Sequence, residues 1–132
     1  MASENIKVVR RSAALVNEGN WDAAMELLAP DIEWVTAKEH PEARTLVGRE
    51  AVVGYRQAWQ HTMTDLRFEL DRLLDCDDRV VSIGAVLGTG RGSGAVVRVP
   101  LAIVYEVRHG LIARAEEYLN PAEALRAVGL EE

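Results

Sequence analysis

Glu117 is the residue best placed to do chemistry. It lies in the segment Leu111–Leu119, where alternate positions sort onto two faces. One face carries Leu111, Ala113, Ala115, Glu117 and Leu119, and the other carries Ile112, Arg114, Glu116 and Tyr118. A carboxylate among leucines and alanines is costly unless paired, and an acid held this way can serve proton transfer. The small side chains at 113 and 115 leave space beside it. Three readings stay open: a proton carrier in a pocket, a charge at a wet rim, or one half of a structural ion pair with an arginine. Tyr55 and Tyr105 complete the candidate catalytic set, because a tyrosine hydroxyl can donate to a carbonyl oxygen.

Other reactive types are poorly placed. Cys76 is the single cysteine, and its neighbours Asp75, Asp77 and Asp78 disfavour the thiolate, so no nucleophilic role is expected. His40, His61 and His109 are scattered and form no metal-ligand spacing. His61 suits a helix C-terminus. Arg91-Gly92-Ser93-Gly94 is a hairpin tip, since it lacks the strand-to-helix setting of a phosphate loop. No metal or cofactor is expected.

The elements that must position these groups follow from periodicity. Asn5–Asn17 is predicted helical, with Ile6, Val9, Ala13 and Val16 in one stripe. Gly19-Asn20 breaks it, and Trp21–Leu28 is a short second helix. Ile32–Thr36 is a strand with Trp34 and Thr36 on one face. Ala37–Val47 is a polar loop. A third helix runs Arg49–Thr62, with Val52, Tyr55 and Trp59 on one face, as pocket wall or as core. Strands follow after Thr64, over Arg79–Gly90, over Ala95–Val107 and over Leu111–Leu119, before a C-terminal helix from Asn120 or Pro121 through Val128.

On Ala95–Val107 the odd positions, Val97 to Val107, are predicted to face inward. Gly84, Gly88 and Gly90 recur on one strand and Pro100 interrupts another, which bends the sheet. A bent sheet closed by helices leaves a cavity at its concave face. Its expected lining is Trp34, Thr36, Trp59, Val99, Leu101, Ile103, Ala113, Ala115 and Leu119. The fold class is α+β, in one domain spanning residues 1–132. The outer face, with Ala102, Val104, Ile112 and Tyr118 beside Arg114 and Glu116, suits a self-complementary homodimer interface.

Composition bounds the partners. A net charge of −6, a pI near 5.1 and no basic cluster disfavour nucleic acid. No apolar run approaches a membrane span, and the polar stretch Met1–Arg10 lacks a leader's apolar core, so a cytoplasmic protein is expected.

The stretch Ala14-Leu15-Val16-Asn17-Glu18-Gly19-Asn20-Trp21-Asp22, the helix end Leu28-Ala29-Pro30-Asp31, and the ending Gly110-Leu111-Ile112 … Glu117-Tyr118-Leu119-Asn120-Pro121 resemble the NTF2-like superfamily, within it the bacterial SnoaL-like group. The resemblance implies a cone of curved antiparallel sheet around N-terminal helices, usually dimeric. It argues against ketosteroid isomerisation, because that activity's tyrosine and two aspartates correspond to Ser12, Thr36 and Ile103 or Val104. The charged pair that limonene-epoxide hydrolases carry on a middle strand is missing from Val80–Thr89, which has no charged side chain, and only their last-strand acid has a counterpart, Glu117. A polyketide-cyclase role needs one acid or base beside an apolar cavity, which Glu117 supplies. The expectation is a small-molecule pocket protein of isomerase, cyclase or hydrolase type, acting on an apolar carbonyl-bearing or cyclic metabolite. The alternative is a non-catalytic binder or dimeric interaction module.

Overall fold

The computed structural model describes residues 2–40 and 42–130, with side chains from Glu4 onward. Helix α1 (Ala2–Asn17) is followed by α2 (Trp21–Glu26), β1 (Leu28–Val35), β2 (Thr45–Val47) and α3 (Arg49–Thr62). Four strands come next, β3 (Met63–Cys76), β4 (Arg79–Gly90), β5 (Val96–Arg108) and β6 (Leu111–Tyr118), and then α4 (Pro121–Ala127). The strands form one curved, open sheet in the order β2-β1-β6-β5-β4-β3, antiparallel except where β1 runs parallel to β6. The fold is α+β, as the sequence implied.

Local chemistry sets the breaks. Asn20 caps α2 by accepting from the Ala23 N–H, and Asn120 caps α4 by accepting from Ala122, with Pro121 at the first helical position. His109 and Gly110 both take positive φ, the geometry of a tight hairpin that matches strand twist. The loop expected over Ala37–Val47 also contains β2, whose three residues pair with β1 and add an edge strand.

The bend has two identifiable causes. At Gly84 an added Cβ would lie 1.8 Å from the Glu69 carbonyl oxygen, and the β3–β4 register slips beside it, between Leu70 and Arg72. Pro100 pairs with Ala85 on β4, while β6 covers β5 only from Ala102 onward. It therefore sits where the sheet has a free edge and a missing N–H costs no ladder bond on that side.

The inward face of β5 is as expected: Ile103, Tyr105 and Val107 are buried in the main core with Val9, Leu28, Ile32 and Val52. Two assignments on β6 are corrected. The ladder with β5 slips between Glu106 and Val107, so that Val107 pairs with Ile112 and Glu106 with Arg114. This bulge breaks the two-residue alternation. Ile112 turns inward and is fully buried, while Ala113 falls at the bulge, away from the cavity.

Part of the outer face is buried within the chain. Helix α4 folds back over it, and Ala102, Val104 and Val81 pack with Ala124 as a second small core that Tyr118 flanks. The C-terminal helix thus covers Ala102 and Val104 of the patch expected to join two copies, while Arg114, Glu116 and Tyr118 remain partly exposed. No helix among the described residues is long and apolar enough to cross a membrane.

Candidate functional site

Three elements converge on Glu117. The parallel pairing of β1 with β6 sets Trp34 beside Ala115, so the next inward residue on β6, Glu117, lies near the end of β1. The Trp34 Nε1–H donates to Glu117 Oε2 at 2.9 Å. The chain then leaves the sheet, and the Ala37 N–H donates to Oε1 at 3.2 Å. From α3 across the cone, the Tyr55 hydroxyl donates to the same oxygen at 2.8 Å. Glu117 is 9% exposed and has no ion-pair partner among the described residues. It is therefore neither a wet rim charge nor half of a salt bridge. An ionised carboxylate offers about four lone-pair sites. Three are taken, and the free one is on Oε2.

The acid lines a cavity of about 230 Å³. That exceeds the ~150 Å³ pocket that holds benzene and falls below the usual range for drug-sized ligands. The wall is mostly apolar: Trp21, Trp34, Trp59, Leu66, Phe68, Val86, Val99, Leu101 and Leu119. Tyr55 and Trp59 stack edge-on with centroids 6.4 Å apart, and His40 lies against both. A second void of about 30 Å³ lies behind the first, roughly enough for a water, with Ser12, Ser82 and Tyr105 in its wall. Trp34, Arg56, Phe68 and Leu101 line both.

The expected lining divides into residues that reach the larger cavity and residues that do not. Trp34, Trp59, Val99, Leu101 and Leu119 line it. Ile103 faces only the smaller void. Ala115 is sealed in the core against Trp34. Thr36 is buried outside the cavity, where its hydroxyl donates to the Arg44 carbonyl and accepts from the Arg44 N–H. It closes the loop that carries Ala37. Tyr55 reaches the cavity, but its one proton goes to Glu117. Tyr105 stands behind the wall, edge-on to Trp34, and shares the wall of the smaller void with Ser82. Burial first, then the charge of Glu117, raises Tyr55 well above the ordinary phenol value, and burial pushes Tyr105 up to about 12. Both are neutral donors at ordinary pH.

Arg56 was missed. It is 8% exposed, and its guanidinium lies 4.9 Å from the Trp34 ring centroid, 5.8 Å from Phe68 and 5.9 Å from Trp21. The signal was present: Arg56 follows Val52 by four residues and precedes Trp59 by three, which places it on the apolar face of α3. Trp21, Phe68 and His40 were also missed, because their approach depends on long-range packing. Phe68 is held by two hydrogen bonds, its N–H to Asn17 Oδ1 and its carbonyl to Asn17 Nδ2, which tie α1 to the edge of β3.

Among the described residues no group of three or more histidines, cysteines or acids is gathered as a metal site. Cys76 is half-buried and its thiol is pushed up, chiefly by burial, which keeps it protonated.

The sequence matches the SnoaL-like domain family over residues 9–115. No match was found among curated proteins. The structure is similar to that of Bal32a from a soil-derived mobile gene cassette, with 28% identity, 88% of each chain covered and a TM-score of 0.76. It is similar also to an NTF2-like protein from Burkholderia thailandensis E264, with 26% identity, 93% of this chain and 95% of the other covered, and a TM-score of 0.79. A candidate polyketide cyclase from Xanthomonas campestris pv. campestris shares the fold at 23% identity, with 97% and 98% covered and a TM-score of 0.75. A SnoaL-like match over most of the chain, on an open curved sheet of the NTF2-like kind, places this protein in the SnoaL-like domain family.

Proposed function

We propose that the protein is a small cytoplasmic enzyme that moves a proton on an apolar, carbonyl-bearing cyclic metabolite, with Glu117 as the base. The carrying observation is the setting of Glu117: an acid fixed by three donors, with its one free lone-pair site on the wall of an apolar cavity. The fold likeness to a candidate polyketide cyclase agrees with this class of chemistry. In the reaction, the C–H bond next to the ligand's carbonyl breaks and its proton passes to Glu117 Oε2. The electron pair left behind delocalises onto the carbonyl oxygen as an enolate. Returning the proton to another carbon gives isomerisation. Attack of the enolate carbon on a second carbonyl closes a ring: the C=O π pair moves to that oxygen, and the resulting alkoxide takes back the proton from Glu117. Tyr55, the Ala37 N–H and Trp34 are positioning groups, which hold the carboxylate in one orientation.

The experiment is a screen of apolar ketones, lactones and cyclic 1,3-dicarbonyls for solvent deuterium uptake at the carbon beside the carbonyl, in wild type and Glu117→Gln. Uptake in wild type and none in the variant is the expected result. Equal uptake in both removes Glu117 from the role. The alternative is a binder without chemistry, favoured by the fact that Glu117 already accepts three hydrogen bonds and could anchor a ligand hydroxyl with its fourth site. It predicts saturable binding with no uptake. Homodimerisation remains part of the proposal, through surface that α4 leaves open, and sedimentation of the purified protein tests it.

A further inference from the structure

Arg56 is a cation shut inside an apolar wall. Its side chain is more than nine-tenths buried, yet among the described residues it has no hydrogen bond and no ion pair. Among the described residues no buried side-chain nitrogen is both sealed off and unpaired, so the guanidinium nitrogens reach into the voids that Arg56 lines. Three aromatic faces surround it. Cation–π attraction offsets part of the cost of burial, but rings cannot fill the in-plane N–H donors of the fork. An isolated buried charge without a counter-ion is costly enough that such sites are normally paired.

The position of the acid explains what the missing partner is. Trp34 presents its N–H edge to Glu117 and its ring face to Arg56. Base and cation thus stand on two sides of one indole, facing the same cavity without forming an ion pair. Burial lowers the guanidinium's proton affinity, while the nearby Tyr105, Glu117 and Tyr55 oppose that effect.

We propose that Arg56 holds the ligand's oxygen and takes the negative charge that forms there, so that the ligand class is a ring ketone or cyclic 1,3-dicarbonyl that passes through an enolate. The inference rests on the reading of Glu117 as a base. When the proton passes to Glu117, the acid becomes neutral and the ligand oxygen negative. The total charge of the site is unchanged, and the negative charge has moved to the side where the guanidinium fork waits. A planar, delocalised oxyanion suits that fork better than a point charge would.

The probe is 4-nitrophenol, whose phenolate is a ring-borne delocalised oxyanion with a visible absorbance band, compared with uncharged 4-nitroanisole. Wild type should bind the phenolate at least about tenfold more tightly than the anisole, the scale of one charge-assisted pair, and should show the phenolate band below the pH at which free nitrophenol ionises. Arg56→Met should lose that preference, and Arg56→Lys, which keeps the charge without the fork, should retain part of it. Melting curves establish that each variant is folded. A folded Arg56→Met that binds the phenolate as tightly as wild type overturns the assignment. So does a wild type that prefers the anisole, a result that needs no variant to fold. The two readings fail separately. Phenolate preference without deuterium uptake supports Arg56 as an oxyanion holder and removes Glu117 as the base. Uptake lost in Glu117→Gln and unchanged in Arg56→Met supports the base and removes Arg56.

Discussion

Glu117 accepts from an indole, a backbone amide and a phenol, drawn from a strand, a loop and a helix. Replacing it with Gln changes one of these contacts into a clash of donors. The amide oxygen can take the place of Oε1, but the NH₂ group then faces the Trp34 N–H. Glu117→Gln should therefore fold, at a cost of about 1–3 kcal/mol in urea denaturation. Tyr55→Phe removes a bond to a charged group and should cost about 1.5–3 kcal/mol. In that variant turnover should fall more than ligand affinity, because the acid loses an orienting contact while the wall keeps its ring. Equal losses in both would mark Tyr55 as a binding group instead. The sequence pointed to Glu117 because an acid on an apolar face is legible from alternation alone. Arg56 needed the same logic on a helix. Its place between Val52 and Trp59 was readable, but an arginine on an apolar face is easily taken as a solvent-reaching side chain.

At the scale of elements, the agreement is widest where local periodicity is strong. The third helix, Arg49–Thr62, and the strand Arg79–Gly90 have the expected limits, and the inward face of β5 is the odd one. The failures share a cause. A bulge at Ala113 switches the faces of β6 before it, turning Ile112 inward while Ala115 and Glu117 keep the expected face, and no local propensity announces it. Thr36 shares a strand face with Trp34 by count, but β1 ends at Val35, so the alternation no longer governs where Thr36 points. The short β2 depends on β1 for its existence, which is a long-range fact. The close approach of β3 at Gly84 carries its own prediction. Gly84→Ala would force a Cβ into the Glu69 carbonyl, and neither is a flexible side-chain end. A loss of about 2–4 kcal/mol in denaturant stability is expected, and a neutral result would mean the bend can relax.

For the molecule as a whole, all three tyrosines, Tyr55, Tyr105 and Tyr118, have raised proton affinity, with burial the leading cause in each. Their folded values lie above the unfolded value of 10.0, so the stability they contribute is fully present below pH 10. For Tyr105 and Tyr118 it is lost as pH rises through about 12. Alkaline titration should show little tyrosinate absorbance near pH 10, and then a cooperative rise that coincides with loss of the folded circular dichroism. An early, non-cooperative rise would show the phenols to be open to solvent. The α+β architecture and its curvature were legible in advance. The C-terminal helix was too, but not its docking on the outer sheet face, which is set by packing between segments remote in sequence.

The wall that Trp34, Arg56, Phe68 and Leu101 share between the larger and smaller voids sets an upper limit on what the protein can hold. Of these four, Phe68 is neither part of the strand that carries Trp34 nor joined to Glu117, and it is anchored through its backbone by Asn17. Its ring can be trimmed while that anchor stays. Phe68→Ala should open the larger void towards the smaller one and admit ligands longer by a few carbons, with the acid untouched, a change in size preference measurable across a homologous series. In this scaffold, ligand length depends in part on one ring on the sheet's edge strand, a ring that also packs against the Arg56 guanidinium, so size preference and the setting of Arg56 should shift together.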